Sequence, residues 1–251
     1  LMENSSLSDR FTLQAREYLL KTIDDNKEKR IVLRFFREGK ASYTSELSYD
    51  DNLSESQRQQ LTVEHHRKHQ DEINQLFQLH SEQLYHEAEN QLRYFLAKGF
   101  IKYGLFQEAA TDLEYLLTNQ GDAPPVRLAL GKVYLKMRKY EQAVQQFNQA
   151  SSAHQPYADL YFYCGVCRYY SGNCVEAIKL FAQTLKINPH FGEVHFYAAL
   201  TLLLNVKLAQ EYRLTNGLPD RALQLLAYAG EMLPLLRTQA LEQGTRLVTD
   251  K

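Results

Sequence analysis

The chain has 251 residues, of which 44% are hydrophobic, and its 29 basic side chains nearly balance 30 acidic ones. The net charge of -1 provides no global basic field, which excludes a chain-wide affinity for nucleic acid or for an anionic membrane surface. The apolar run from Ala198 to Leu204 is too short to cross a bilayer, so no membrane insertion is expected.

The N-terminal region, residues 1–53, is predicted to be helical. Apolar residues recur there at helical spacing, as Phe11, Leu13, Tyr18, Leu19 and Ile23, and again as Ile31, Val32, Phe35 and Phe36. Residues 39–56 are rich in Ser, Asp and Glu and predict a flexible polar segment, which places a domain boundary near residue 53. No Gly or Pro interrupts residues 55–88, so a lead-in helix is predicted over 54–89.

From Asn90 onward the sequence repeats with a fixed period. Segments that begin at Asn90, Pro124 and Ala158 can be stacked without gaps. The eighth positions are small (Ala97, Gly131, Gly165), as are the twentieth (Ala109, Ala143, Ala177), whereas the twenty-fourth are large (Leu113, Phe147, Phe181). This pattern indicates antiparallel helix pairs that approach closely where small residues meet.

A fourth unit, residues 192–234, contains an insertion of eleven residues, Asn205 to Thr215. Eleven residues make about three helical turns, so the first helix is predicted to run on through them. The inserted turns either pack on the final helix or mediate self-association, and both alternatives stay open. Residues 235–249 predict an amphipathic helix that caps the last repeat.

The repeat resembles the tetratricopeptide repeat. Residues at the family's positions in the third unit are Tyr161, Cys164, Gly165, Ala177, Phe181 and Pro189, and in the second Leu130, Gly131, Tyr134, Ala143, Phe147 and Ala150. The resemblance implies an all-α fold, an α-solenoid of tetratricopeptide helix pairs with N-terminal helices and a C-terminal capping helix. Its repeats are expected at 90–123, 124–157, 158–191 and, lengthened, 192–234, within a domain over 54–251.

The resemblance also implies a concave groove, lined by the second, fifth, ninth, twelfth and thirteenth positions of each first helix. Because the lysines lie in the first two repeats, we expect a groove that is basic at one end and apolar-aromatic at the other. A surface packed by the chain itself is the alternative, and both stay open. The expected groove residues are Tyr94, Lys98, Ile101, Lys102, Leu128, Lys132, Leu135, Lys136, Phe162, Val166, Tyr169, Tyr170, Phe196, Leu200 and Leu203.

Two other groups of residues have the spacing of a metal or redox site. Cys164 and Cys167 lie at repeat positions that should be buried, so small core residues are the favoured interpretation. His65 and His69 lie one helical turn apart, but no further ligand pattern accompanies them, which favours a solvated polar face. Without a phosphate loop, a nucleophile elbow or paired carboxylates, no catalytic residue, metal or cofactor is predicted.

The expected function is that of a non-enzymatic adaptor or scaffold, which binds a segment of another protein in the groove. An alternative is a dedicated chaperone, similar in layout to the small tetratricopeptide chaperones of type III secretion. An enzyme regulator or sensor that binds a peptide signal would use the same groove. The odd number of cysteines favours a reducing compartment, so a cytoplasmic location is expected, with homo-oligomerisation through the fourth repeat as a further possibility.

Overall fold

The computed structural model describes residues 6–83, 90–121, 123–151 and 157–211. The chain divides into a first unit, Leu1–Asn119, and a second unit, Gln120–Lys251. Within the described residues the first unit contains strands β1 (Ser6–Leu13), β2 (Arg16–Asp25), β3 (Arg30–Arg37) and β4 (Lys40–Ser48) and helices α1 (Glu55–Gln83), α2 (Asn90–Lys102) and α3 (Phe106–Gln120). The second contains α4 (Pro124–Lys136), α5 (Tyr140–Ala150), α6 (Ala158–Tyr170), α7 (Cys174–Ile187) and α8 (Gly192–Glu211).

The N-terminal residues form an antiparallel sheet in the order β1-β2-β3-β4, so the prediction of an all-α fold with N-terminal helices is wrong for this region. The segment 39–56, expected to be a flexible polar connection, contributes half of its length to β4. The physical reason is alternation along the strands. In β2 the side chains of Tyr18, Leu20 and Thr22 are buried, whereas those between them are half-exposed.

Tight turns between the strands reinforce the sheet. Backbone φ angles are positive at Gln14 and Ala15, between β1 and β2, and at Glu38 and Gly39, between β3 and β4. Two consecutive residues with positive φ give the turn whose twist matches that of an antiparallel hairpin. Gly39, which follows Glu38, is therefore a sequence signal for a hairpin turn. It lies in a region for which the spacing of apolar residues predicted helices and a loop.

The inner face of the sheet packs against α1. The ring of Phe77 lies edge-on to Tyr18, with 5.4 Å between centroids, and to Phe11, with 6.2 Å. The hydroxyl of Thr22 lies 2.8 Å from Nδ1 of His66 on α1. Sheet and helix thus share one core within the first unit, Leu1–Asn119, and the predicted domain boundary near residue 53 stays a prediction.

The end of α2 is bonded directly to the sheet. Ser42 of β4 donates its hydroxyl hydrogen to the carbonyl oxygen of Tyr103 over 2.9 Å. The Tyr103 ring packs edge-on against Phe35 of β3, with 5.5 Å between centroids. A Cβ atom added at Gly104 would lie 2.5 Å from the carbonyl oxygen of Ser42. The first helix pair of the repeat array is thus fixed to a sheet.

Helices of the second unit are paired as the period predicts. The first helices α4, α6 and α8 begin at Pro124, Ala158 and Gly192, each one full repeat after the last. A Cβ atom at Gly131 would overlap the ring of Phe147, and one at Gly165 the ring of Phe181, so glycine permits the close approach in both pairs. None of the helices in the described part of the chain combines the length and apolar character needed to cross a membrane.

The lengthened fourth repeat is only partly described. Helix α8 has 20 residues, against 13 for α4 and for α6, and it continues through the start of the insertion to Glu211. The second helix of that repeat, the capping helix predicted over 235–249 and the end of the lead-in helix at 84–89 lie outside the described residues.

Three helices end in the same left-handed backbone conformation, at equivalent positions of successive repeats. The φ angle is +73° at Gly104, +60° at Arg138 and +81° at Gly172. In each case the following amide donates to the carbonyl oxygen five residues earlier: Leu105 to Phe100, Lys139 to Tyr134 and Asn173 to Arg168, over 2.8, 2.9 and 2.8 Å. This bond satisfies a terminal carbonyl and ends the helix.

Replacement of the residues at these helix ends should change stability in a graded way. Arg138→Gly should raise the free energy of unfolding by about 0.5–1 kcal/mol, because only glycine adopts this conformation without strain. Gly104→Ala should lower it more than Gly172→Ala, since Ser42 blocks the new Cβ atom at Gly104 while nothing lies within 4 Å of Gly172. Urea unfolding followed by circular dichroism measures all three, and equal losses at the two glycines would contradict the steric argument.

Several titratable groups are buried in the first unit. His69 and His80 of α1 are each 5% exposed, and burial lowers the pKa of His69 to about 4 and that of His80 below its ordinary value. Asp112 of α3 is 1% exposed, and burial raises its pKa to about 6 although the Arg93 guanidinium, 3.3 Å away, opposes that shift. Near neutral pH both histidines are therefore uncharged in the folded state.

Acidification should destabilise the first unit through His69. Its pKa in the folded state lies below the unfolded value of about 6.5, so the unfolded chain takes up the proton first and stability is lost as the pH falls from 6.5 towards 4. Between pH 7 and pH 5 the loss should be about 2 kcal/mol. Asp112 acts in the opposite sense below pH 6, so the effect must be isolated by comparison of variants.

The comparison is between His69→Asn and the wild type, in urea unfolding at pH 7 and pH 5. Asparagine can hydrogen-bond with the Tyr103 hydroxyl, which lies 3.0 Å from Nδ1 of His69, but it does not titrate. The variant should therefore lose less stability on acidification. His190→Asn, at an exposed position in the second unit, is the matched control. An identical pH dependence for wild type and His69→Asn would contradict the role given to His69.

Candidate partner-binding surface

A depression lies between the N-terminal ends of α4 and α6, at the second and fifth positions of the repeat. Its volume is about 400 Å³, which suits one large apolar side chain. Tyr157 at its rim is 54% exposed, and Asp159 supplies a charged group to the lining. The lining residues are Pro124, Pro125, Leu128, Ala150, Tyr157, Asp159 and Leu160.

Helix α4 extends this surface with the predicted lysines. Leu128, Lys132 and Leu135 are half-exposed, and Lys136 is exposed. The ammonium of Lys132 lies 4.6 Å from the ring centroid of Tyr163, a cation–π contact that fixes its position without neutralising its charge. A partner segment that leaves the depression along α4 therefore meets two positive charges.

Four of the predicted groove residues are buried by the second unit itself. Phe162 is 6% exposed, Val166 3%, Phe196 7% and Leu200 2%. Phe162 and Val166 belong to one core cluster with Phe181, and the ring of Phe162 lies 4.9 Å from that of Phe191. The expectation that these four line an open groove is therefore corrected, because neighbouring helices cover them. The side chain of Leu203 lies outside the described residues.

Tyrosines form the aromatic end of the surface instead. Tyr170 is 51% exposed and stacks on Tyr140, with 5.8 Å between centroids and 11° between planes. Tyr169 and Tyr197 pack edge-on against each other, 5.8 Å apart, and both contact Tyr170. Burial raises the pKa of Tyr169 to about 12, so this ring is neutral and available as a hydrogen-bonding group.

In the first unit, the predicted positions on α2 differ in what they offer. Lys98 is exposed, with its ammonium 4.7 Å from the ring centroid of Tyr94, and Ile101 is half-exposed. The ammonium of Lys102 lies 2.5 Å from a carboxylate oxygen of Glu72 on α1, so its charge is paired within the unit. Lys98 thus remains the cation that α2 presents to a partner.

Sequence reasoning missed aromatic residues at the sixth position of the first helices. Phe95 on α2 is 67% exposed, while Tyr163 on α6 and Tyr197 on α8 pack beside the predicted positions. Their spacing was a usable signal, because Tyr163 and Tyr197 lie one repeat apart and Phe95 falls on the same period. Tyr140, which begins α5, had no such signal, because its contact with Tyr170 arises only from helix packing.

The cysteines are core residues, as the favoured interpretation held. Cys164, Cys167 and Cys174 are all free and buried. Burial raises the pKa of Cys164 and of Cys167 to about 12, which keeps both thiols protonated and poorly reactive. Within the described residues no group of three or more His, Cys, Asp or Glu side chains is arranged to hold a metal ion.

The histidines of α1 do not form the solvated face that we expected. His69 is buried beside Tyr103. The ring of His65 packs edge-on against the ring of His69, with 5.0 Å between centroids. His66 bridges the hydroxyl of Thr22, 2.8 Å from Nδ1, and the carboxylate of Asp9, 2.6 Å from Nε2. This order resembles a hydroxyl, base and carboxylate triad, but Thr22 is 0% exposed and no substrate can reach it.

Comparisons with known proteins agree with the helix pairs. A family profile described as Tetratricopeptide repeat matches residues 100–161. No curated protein matches the sequence. The chain is similar to the crystal structure of MamA, with a TM-score of 0.51 and 20% identity, covering 66% of this chain and 91% of that one.

Two further solved structures have the same kind of likeness. The MamA RS-1 ArsTM double mutant gives a TM-score of 0.51 at 16% identity and covers 64% of this chain and 84% of its own. A chain of the APC/C hetero-tetramer Cut9-Hcn1 gives 0.50 at 18% identity, covering 62% of this chain and 30% of that one. At these identities the likeness shows the fold alone. The regular sequence period, the paired helices and the matching profile together show tetratricopeptide-type helix pairs, with the profile match at residues 100–161.

Proposed function

We propose that the chain is a non-enzymatic adaptor or scaffold that binds a partner polypeptide on the first helices of its second unit. The observation that carries this proposal is the apolar depression between α4 and α6, which lies at the repeat positions where the family resemblance expects a ligand. Exposed apolar lining with a few convergent polar groups is typical of a recognition site. Tyr157 and Leu128 provide the apolar lining that would hold an anchor side chain.

The charges around the depression define the partner segment more closely. Asp159 at the rim favours a Lys or Arg near the apolar anchor, whereas Lys132 and Lys136 further along α4 favour acidic residues. Exposed ion pairs contribute only about 0–1 kcal/mol each, so the buried anchor should supply most of the affinity. The tyrosines at the far end, Tyr169 and Tyr170, offer flat rings for a second apolar or cationic contact.

The chaperone alternative loses part of its basis. The layout similarity to the type III secretion chaperones included an N-terminal helical arm, whereas residues 6–48 of this chain form four strands. Among the residues that the structure describes, no other feature favours a dedicated chaperone over an adaptor. Self-association through the lengthened fourth repeat stays a proposal, since the side chains beyond Thr201 lie outside the described residues.

A peptide selection tests this surface although the partner is unidentified. Random 12-residue peptides displayed on phage are selected against the wild-type chain, and the enriched peptides are synthesised and measured by isothermal titration calorimetry. We expect a consensus with one large apolar residue and a Lys or Arg nearby. Leu128→Ala should weaken binding about tenfold, because truncation removes anchor contacts worth about 1.4 kcal/mol.

Two variants make the test specific. Asp159→Asn should lower the affinity for peptides that carry the basic residue. The affinity for neutral analogues of the same peptides should stay unchanged. Gln145→Ala, at an exposed position on α5, is the matched control and should bind like the wild type. Circular dichroism checks that each variant is folded. Peptides that bind Leu128→Ala and Asp159→Asn as tightly as the wild type would refute the proposed site.

A further inference from the structure

The outer face of the sheet in the first unit carries an ordered arrangement of apolar and basic residues. Strand register places Leu19 opposite Phe36, Lys21 opposite Arg34 and Ile23 opposite Val32. These pairs alternate with the inner pairs, such as Leu20 with Phe35, that face α1. Along β2 and β3 the outer face therefore reads as an apolar pair, a basic pair and a second apolar pair.

This face carries two depressions, each lined by both apolar and charged residues. One depression of about 340 Å³ is lined by Lys21, Ile23, Asp25, Val32, Arg34 and Phe36, and a second of about 510 Å³ by Arg10, Glu17, Tyr18, Leu19, Lys21, Phe36, Glu38 and Gly39. The two depressions share Lys21 and Phe36 on the central strands, and together they are called the trough below. The side chains of Leu19, Ile23 and Phe36 are half-exposed along it.

The basic pair at the centre of the trough is uncompensated within the described residues. Like charges directly opposite each other on neighbouring strands destabilise a sheet. Arg30, one register pair beyond Val32, is by contrast 2.9 Å from the carboxylate of Glu46. Neither Lys21 nor Arg34 has such a partner among the carboxylates that the structure describes. A carboxylate supplied from outside would relieve the repulsion between them.

We propose that this trough docks an amphipathic helix of a partner protein, with an acidic residue at the centre of its apolar stripe. Residues two apart on a strand are about 6.6 Å apart, so Leu19, Lys21 and Ile23 span about 13 Å. Residues four apart on a helix are about 6 Å apart along its axis. A helix aligned with the strands therefore matches the trough with an apolar residue, an acidic residue and a second apolar residue at four-residue intervals.

The rim of the trough favours a helix over an extended anionic surface. Glu17, Asp25 and Glu38 line its edges and would repel a membrane leaflet or a nucleic acid backbone. A single helix places its acidic residue against Lys21 and Arg34 and leaves the rim carboxylates to its basic or polar flanks. The surface lies in the first unit, so the proposal is independent of the peptide site on α4 and α6.

The test uses a fluorescein-labelled, alanine-based peptide, made just long enough to form a helix in water, with Leu at positions 5 and 13 and Glu at position 9. A second peptide replaces that Glu with Lys. Fluorescence anisotropy with the full chain should show the Glu peptide binding at least tenfold more tightly than the Lys peptide. The double variant Lys21→Glu and Arg34→Glu should reverse this preference. Because it retains like charges across the strands, its melting temperature should stay close to that of the wild type.

Controls separate this surface from general electrostatics. The double variant Lys179→Glu and Lys186→Glu makes the same charge change at exposed positions on α7 and should bind both peptides like the wild type. Vesicles of phosphatidylserine and phosphatidylcholine should not sediment the protein. The proposal is overturned if the Glu peptide has no preference over the Lys peptide, or if reversal of Lys21 and Arg34 leaves the preference unchanged. It is equally overturned if the vesicles bind the wild-type protein but do not bind the double variant Lys21→Glu and Arg34→Glu.

Discussion

The close approach of paired helices in the second unit determines which side chains this protein can present. At Gly131 and Gly165 the absence of a side chain lets the first helix of each pair reach the ring of Phe147 or Phe181 on the second. Once that distance is fixed, the fifth and ninth positions of α6 fall into the core, as Phe162 and Val166 do. The ends of the same helices stay open, where the apolar depression and the exposed Tyr170 are found.

The first unit combines a helix pair with a sheet by means of buried polar groups. Glu108 of α3 accepts bonds from Arg16 over 3.0 Å and from Arg37 over 3.3 Å, both of which belong to strands. Arg93 and Asp112 join α2 to α3 in the same way. Buried charges are costly unless they are paired, and each of these carboxylates has a guanidinium beside it. Removal of a single partner would therefore disturb the sheet and the helices together.

The two proposed surfaces differ in the charge that they would select. Asp159 marks the depression on the second unit as a site for a segment with a basic residue beside its anchor. Lys21 and Arg34 mark the trough on the first unit as a site for an acidic residue within an apolar stripe. The difference is confined to the charge next to the apolar anchor, because Lys132 and Lys136 further along α4 favour acidic residues as well.

The sequence by itself determined the repeat. The close approach of two helices needs small residues at fixed offsets, and each repeat has small residues at the same offsets. The regular spacing of the starts of α2, α4, α6 and α8 follows directly from that rule. The helix ends at Gly104, Arg138 and Gly172, which the structure shows in one conformation, recur with the same period. Repetition made the starts of the helix pairs predictable without reference to long-range contacts.

The strands and the state of the groove were decided by tertiary structure. Between Phe11 and Phe36 the apolar residues fit helical spacing locally, and only the pairing of β2 with both β1 and β3 selects alternation. Phe162 and Tyr170 were both expected in the groove, yet one is buried and the other is half in solvent. Phe191, at the end of the same repeat, and Tyr197, from the next repeat, cover Phe162. A repeat pattern determines the position of a residue on its helix. The residues that pack against that side chain from neighbouring helices determine whether a partner can contact it.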